Sequence, residues 1–182
     1  VNVTATDLIM RAGGTIGNSD LLNGTPTLNI NAIDADVTTL AAEGTTSIYV
    51  QEIVNAQPDN NLVIDHVNAI VTTPVSVTRV NFNSTTTPVT PVTSTVTALD
   101  DLTSDGPIKV VVSDGTLTVN DGLDADGLGV VSTGTGDILL ETRENLAADV
   151  HDIVTTTGVV SNGGHLNLIA ADNISLGDDV TT

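Results

Sequence analysis

The sequence predicts an all-β chain wound as a right-handed parallel β-helix, a solenoid of stacked rungs. Three observations carry the prediction. Thr (30) and Val (25) supply 55 of the 182 residues, and β-branched side chains suit a pleated surface while losing rotamer freedom in a helix. Short apolar pulses, each closed by a Gly, Asn or Asp turn, recur at the roughly 20–30-residue period of a repeat architecture. Aromatic side chains are almost absent, with Tyr49 and Phe82 alone and no Trp. A narrow coil interior takes Val, Ile, Leu, Ala and Thr more readily than large rings. The alternative is a β-sandwich, which also alternates short strands and turns.

The strands follow in order. Val1–Ala5 already alternates apolar and polar residues. Leu8–Ala12, Leu28–Ala32 and Ile48–Glu52 start 20 residues apart, and Leu62–His66 follows 14 after the last. The second half offers Ile108–Val112, Leu117–Val119, Ile138–Thr142 and Leu166–Ala170, with weaker strands at Ile153–Thr156 and Val159–Val160. No single rung holds enough apolar residues for a core of its own, so stacking must bury them in columns. Seven or eight rungs are expected at this spacing, in a solenoid of residues 1–68 and 104–182. Residues 69–103 break the pattern. Pro74, Pro88 and Pro91 interrupt a Thr/Val/Ser run there, and Pro, lacking the ladder N–H, belongs at sheet edges or in excursions. This stretch is expected to be a projecting hairpin or a linker, with Val75–Phe82 as a true strand. Glu141–Ile153 lacks a convincing apolar face and is expected to be loop.

Composition excludes several function classes. Zero Cys removes disulfides, thiolate metal sites and a Cys nucleophile. A formal charge of −19, from 4 Lys+Arg against 23 Asp+Glu, opposes nucleic acid and anionic membranes as partners. No run approaches the roughly 20 apolar residues of a membrane span. A mean hydropathy of +0.23 argues against disorder. The chain lacks an initiator Met, a basic leader and the capping segments that solenoids need, so a segment of a longer chain is expected.

The Asp-rich stretch from Asp114 to Gly127 is the best site candidate. Asp114, Asp121, Asp124 and Asp126 alternate with Gly turns and could gather hard oxygens around Ca²⁺ at about 2.3–2.6 Å. It misses the EF-hand spacing, since Leu128 stands at a ligand position and no Glu closes the loop. The bland reading is a solvated Asp-Gly turn. Asp34/Asp36, Asp100/Asp101 and Asp178/Asp179 are weaker pairs. His66, His151 and His165 are scattered with no zinc or catalytic spacing, and read as strand-face or turn residues. Asn83-Ser84-Thr85 is one of four N-glycosylation patterns, unremarkable in a chain this rich in Asn and Thr.

Gly136-Asp137-Ile138-Leu139-Leu140-Glu141, Gly164-His165-Leu166-Asn167-Leu168-Ile169 and Asp7-Leu8-Ile9-Met10-Arg11-Ala12-Gly13-Gly14-Thr15-Ile16-Gly17 share one shape. A short alternating strand and a Gly or polar turn lead into a second short strand. This resembles the degenerate repeats of filamentous-haemagglutinin-like proteins and other giant bacterial surface adhesins, mainly over residues 1–66 and 108–182. The resemblance implies secreted, surface-displayed parallel β-helices. It leads us to expect a non-enzymatic, extracellular, structural and adhesive segment: a stiff shaft presenting loops to a surface receptor or glycan. Neighbouring repeats or identical subunits would stack on it end to end. No cofactor is required, and calcium is the single candidate ion. Two rivals remain open: a pilus or thread subunit completed by a donated strand, and a carbohydrate-active β-helix. The latter is disfavoured because the only cations, Arg11, Arg79, Lys109 and Arg143, lie far apart in sequence.

Overall fold

A computed structural model describes residues 2–18, 32–53, 60–71, 77–89, 95–145 and 150–182. Every regular element among them is a β-strand, and no helix long and apolar enough to cross a membrane occurs there. The chain divides into two compact units, Val1–Val67 with Leu99–Thr182, and Asn68–Ala98.

The larger unit is a parallel β-helix, and its strand pairs are parallel rather than the antiparallel pairs of a sandwich. One sheet stacks Val3–Thr4, Ile33–Asp36, Ser47–Glu52, Ile108–Val112, Ile138–Thr142 and Leu166–Ile169, with Thr15–Ile16 beside the start of Ser47–Glu52. The second sheet begins with Asp7–Ala12 on Thr39–Gly44 and then splits into two tracks. Leu62–Ile64, Leu117–Val119, Ile153–Thr155 and Ile174–Leu176 continue its first half. Leu102–Ser104, Leu128–Ser132, Gly158–Ser161 and Val180–Thr181 continue its second half.

Columns of like side chains form the core between the sheets, as period-2 alternation in register requires. Ile16, Ile48, Ile108, Ile138 and Leu166 make one column. Leu8, Leu40, Ile64, Val119, Thr155 and Leu176 make another. The inner members, such as Leu40, Ile108, Leu117 and Ile138, are buried. Among the described residues that second column counts six layers, against the seven or eight expected. Each turn carries three strands, so Leu102 meets Val130, 28 residues on, and Val130 meets Val159, 29 residues on.

The corner between the sheets is built from small residues. Gly44, Ser104, Ser132 and Ser161 form one column at the end of the second sheet. Ser132 Oγ donates to the Gly106 carbonyl at 3.1 Å and Ser161 Oγ to the Gly136 carbonyl at 2.9 Å. Each buried hydroxyl thus clips its own rung to the corner of the rung before. Such hydroxyls are stable inside only because they are bonded.

Links of very different length join the two half-strands of the second sheet on successive rungs. On the first such rung Leu40 and Ala42 are joined directly through Ala41. On the next, the break between Ile64 and Leu102 holds the whole smaller unit. Then come the loop 120–127 and the short links 156–157 and 177–179. Leu102–Ser104, whose first two residues fall within the stretch 69–103, is a strand of the coil.

Within the smaller unit, Val77–Val80 pairs antiparallel with Thr86–Val89, and Ile70–Val71 with Thr95–Val96. Its turn is tied by Asn81, whose N–H donates to the Thr85 carbonyl and whose side chain donates to Thr87 Oγ1 at 2.7 Å. Pro88 sits in an exposed strand of this pair. Pro74, Pro91 and most of the strand expected at Leu28–Ala32 lie outside the described residues.

Candidate functional site

The loop 120–127 follows Leu117–Val119 on one rung, and Asp100–Asp101 precede Leu102–Ser104 on the rung below. Leu102 pairs with Val130, so the residues that lead into these two strands meet at the same position of the turn. Five carboxylates converge there. Oxygens of Asp101, Asp124 and Asp126 all lie within 4.8 Å of one another. Asp100 and Asp121 stand close enough to act on Asp101 electrostatically.

Several backbone amides of the loop and of Leu128 beside it are bonded to this acidic frame. Leu123 N–H donates to Asp100 Oδ1 at 2.8 Å. Gly127 N–H donates to Asp121 Oδ1 at 2.7 Å, and Leu128 N–H to both Asp121 Oδ1 and Asp126 Oδ1. His66 Nδ1 lies 2.8 Å from Asp100 Oδ1. Two features show why the loop folds so tightly. Gly122 has φ +70°, and a Cβ there would fall 2.3 Å from Asp100 Oδ1. Asp101 and Ala125 also adopt the left-handed region, at φ 63° and 56°.

Asp101 is the exception among the acids. It is 5% exposed, and its Oδ1 is buried without a hydrogen bond from any described residue. Burial, reinforced by Asp124, Asp126, Asp100 and Asp121, pushes its carboxyl up to about 8. Partial desolvation and the neighbouring Asp126 and Asp100 raise Asp124 as well.

Asp114, grouped with this stretch in the sequence, belongs to a different cluster. It lies at the opposite corner, on the return from the first sheet to the second. There Asp114 Oδ1 lies 3.0 Å from His151 Nε2, while His151 Nδ1 lies 3.3 Å from Asp172 Oδ2. The His151 and Asp114 side chains are only 2% and 1% exposed. Burial alone lowers the His151 pKa, but its hydrogen bonds to Asp114 and Asp172 and their charges outweigh it, leaving the imidazole raised. Glu52 is buried nearby and is pushed up to about 8 by burial, then by Asp36 and Asp114. A His between two carboxylates could move protons; here His151 and Asp114 are buried, Asp172 is 42% exposed, and the three hold successive rungs together. Thr142 Oγ1 donating to the His151 carbonyl at 2.6 Å adds to the same join.

Of the four acids singled out from the sequence, the fold therefore brings Asp124 and Asp126 together with Asp101, places Asp121 beside them as a loop clamp, and sends Asp114 elsewhere. Asp101 carried too little signal alone. The clue was the shared register of the two insertions. All three His residues pair with Asp; the third, His165, has Nδ1 3.1 Å from Asp137 Oδ1, and its hydrogen bonds hold the Asp137 carboxyl below its usual range.

No family model, curated protein or solved structure matches this chain.

Proposed function

We propose that the chain is a non-enzymatic structural and adhesive segment of an extracellular, surface-displayed or filament-forming protein. The observation that carries the reading is the register of the coil: six in-step layers of parallel strands around one apolar column. Repeated rungs of this kind resist bending because every rung is hydrogen-bonded to its neighbours over both sheets. At a strand spacing of about 4.8 Å, six layers span about 24 Å along the axis. The acidic charge of −19 supports a shaft that keeps itself apart from its neighbours in solution.

The hairpin of the smaller unit supports the contact-making part of the reading. Phe82 is fully exposed on it, and Val80 and Val89 of the same hairpin are exposed too. Apolar side chains gathered on one element mark an interaction surface more often than a neutral one.

An adhesion assay tests the proposal. Beads carrying the full chain are passed over arrays of glycans and matrix proteins, beside beads carrying Val80→Ser/Phe82→Ser. Retention of the parent chain on some surface, cut about tenfold by the double substitution, is the expected result. Retention no better than that of albumin-coated beads on every surface overturns the adhesive reading.

A further inference from the structure

We propose that Asp101, Asp124 and Asp126 form a Ca²⁺ site that pins the loop 120–127 to the neighbouring rung. The inference is independent of the adhesive reading and rests on two separate observations. The first is the convergence of three carboxylate oxygens within 4.8 Å. In a calcium sphere with bonds of about 2.3–2.6 Å, opposite oxygens sit about 4.6–5.2 Å apart, so this spacing fits one ion without rebuilding the loop. The second is the unpartnered Asp101 Oδ1, buried on a residue that is 5% exposed. A buried acceptor with no donor costs free energy that a cation recovers.

The placement of the donors sharpens the assignment. Amides serve Asp100, Asp121 and Asp126 Oδ1 and close the loop by themselves. The loop is thus shaped before any ion arrives, and Asp101 faces the two exposed carboxylates Asp124 and Asp126 from the rung below. The raised pKa values of Asp101 and Asp124 reflect the same crowding of like charge. The ligands are all carboxylate oxygens, which selects a hard cation over zinc or copper. Magnesium demands near-ideal octahedral geometry and gives up its water reluctantly, whereas calcium accepts irregular sets of six to eight oxygens with water completing the shell. Three acids from two rungs and one short loop form an irregular set, and calcium is the ion that tolerates it.

Calorimetric titration of the full, EDTA-treated chain with CaCl₂, and separately with MgCl₂, tests this in about 150 mM NaCl, where diffuse attraction to the acidic surface is screened. One saturable Ca²⁺ per chain is expected, with Kd at or below about 1 mM and Mg²⁺ at least about tenfold weaker. Asp126→Asn and Asp124→Asn, both at exposed positions, should each weaken Ca²⁺ by about tenfold or more, as should Asp101→Asn. Asp178→Asn removes the same charge away from the cluster and should leave affinity within about twofold. Amide exchange at 121–128 should slow on adding Ca²⁺ to the parent chain. The site is overturned by the lack of saturable binding, by equal affinity for Mg²⁺, or by Asp178→Asn weakening binding as much as Asp126→Asn. If Asp101→Asn loses its β circular-dichroism signal, the two exposed substitutions decide the matter.

Discussion

Gly136→Ala tests the stacked corner on which the coil depends. A Cβ at Gly136 would lie 2.1 Å from the Gly106 carbonyl carbon, 2.4 Å from its oxygen and 2.5 Å from Pro107 N. Ordinary carbon contacts begin near 3.5 Å, so the two corners must part by about 1.4 Å, against a rung spacing of about 4.8 Å. All three obstructing atoms are backbone, and they cannot rotate away. Overpacking of this kind costs about 1–3 kcal/mol. Parting the corners also weakens the Ser132 Oγ bond to the Gly106 carbonyl and the Ile108 N–H bond to the Asp137 carbonyl, at about 1 kcal/mol each. The total is about 3–5 kcal/mol. Gly13→Ala is the matched control, since a Cβ there meets nothing within 4 Å, and it should be neutral or stabilise by up to about 1 kcal/mol. Urea unfolding followed by circular dichroism reads the difference. At an m value of about 2 kcal/mol/M, Gly136→Ala should lower the midpoint by about 2 M. A midpoint within about 0.3 M of the parent chain would refute the backbone-on-backbone corner.

Three other perturbations probe the core and the buried charges. Leu117→Ala should cost about 2–5 kcal/mol in the same urea assay because Leu117 is fully buried, whereas Leu123→Ala, 73% exposed, should change stability by less than about 0.5 kcal/mol. Equal effects would mean that the columns are not the core. Glu52 rises from 4.5 to about 8 on folding, so the folded chain keeps a proton that the unfolded chain releases. Stability should therefore fall as pH rises from 4.5 to 8, by up to about 1.4 kcal/mol per unit from this group. Glu52→Gln should flatten that slope and melt higher than the parent at pH 8; an unchanged slope contradicts the assignment. His151→Ala leaves Asp114 buried without its imidazole and should cost about 3–5 kcal/mol. Because the His151 pKa is raised, its contribution is complete below its unfolded value near 6.5 and disappears as pH climbs through the folded one. A variant whose stability deficit grows with pH would exclude a protonated, paired His151.

The columns were legible because their residues announce themselves by alternation. Ile108–Val112 and Ile138–Thr142 carry the same pattern of inward residues at every second position, Ile108, Val110 and Val112 against Ile138, Leu140 and Thr142, and register then follows from burial alone. The rung length was less legible. The break between Val119 and Leu128 reads in sequence as an ordinary turn between strands, yet it divides one track of the second sheet into two halves. Local pattern does not distinguish a corner from an insertion within a face. The site was only half visible for a related reason. Asp124 and Asp126 are neighbours in sequence, but Asp101 reaches them only because Leu102 pairs with Val130, a long-range fact that no local motif records. Asp114 misled because nearness in sequence implied nearness in space. Five residues of strand and turn, Leu117 to Asp121, are enough to carry the chain from one corner to the other side of the rung.

Insertions at one repeated place have a physical logic. The half-strands on either side are anchored by their neighbours above and below, so the ends of the insertion are held close whatever its length. Closing a longer flexible loop between fixed ends costs only about 0.6 kcal/mol per doubling of length, small beside the burial of one Leu column member at about 2–3 kcal/mol. That is why the break can hold two residues at 156–157, eight at 120–127 and the whole unit Asn68–Ala98, with only a local register shift between Leu128 and Val130 after the 120–127 loop. It follows that the coil constrains its loops by position rather than by sequence. Residues that flank the break on adjacent rungs are brought together even when the chain between them is long. The carboxylates of Asp101, Asp124 and Asp126 are the case in which this forced proximity gathers like charges, and like charges held together by the fold are where a cation has most to contribute.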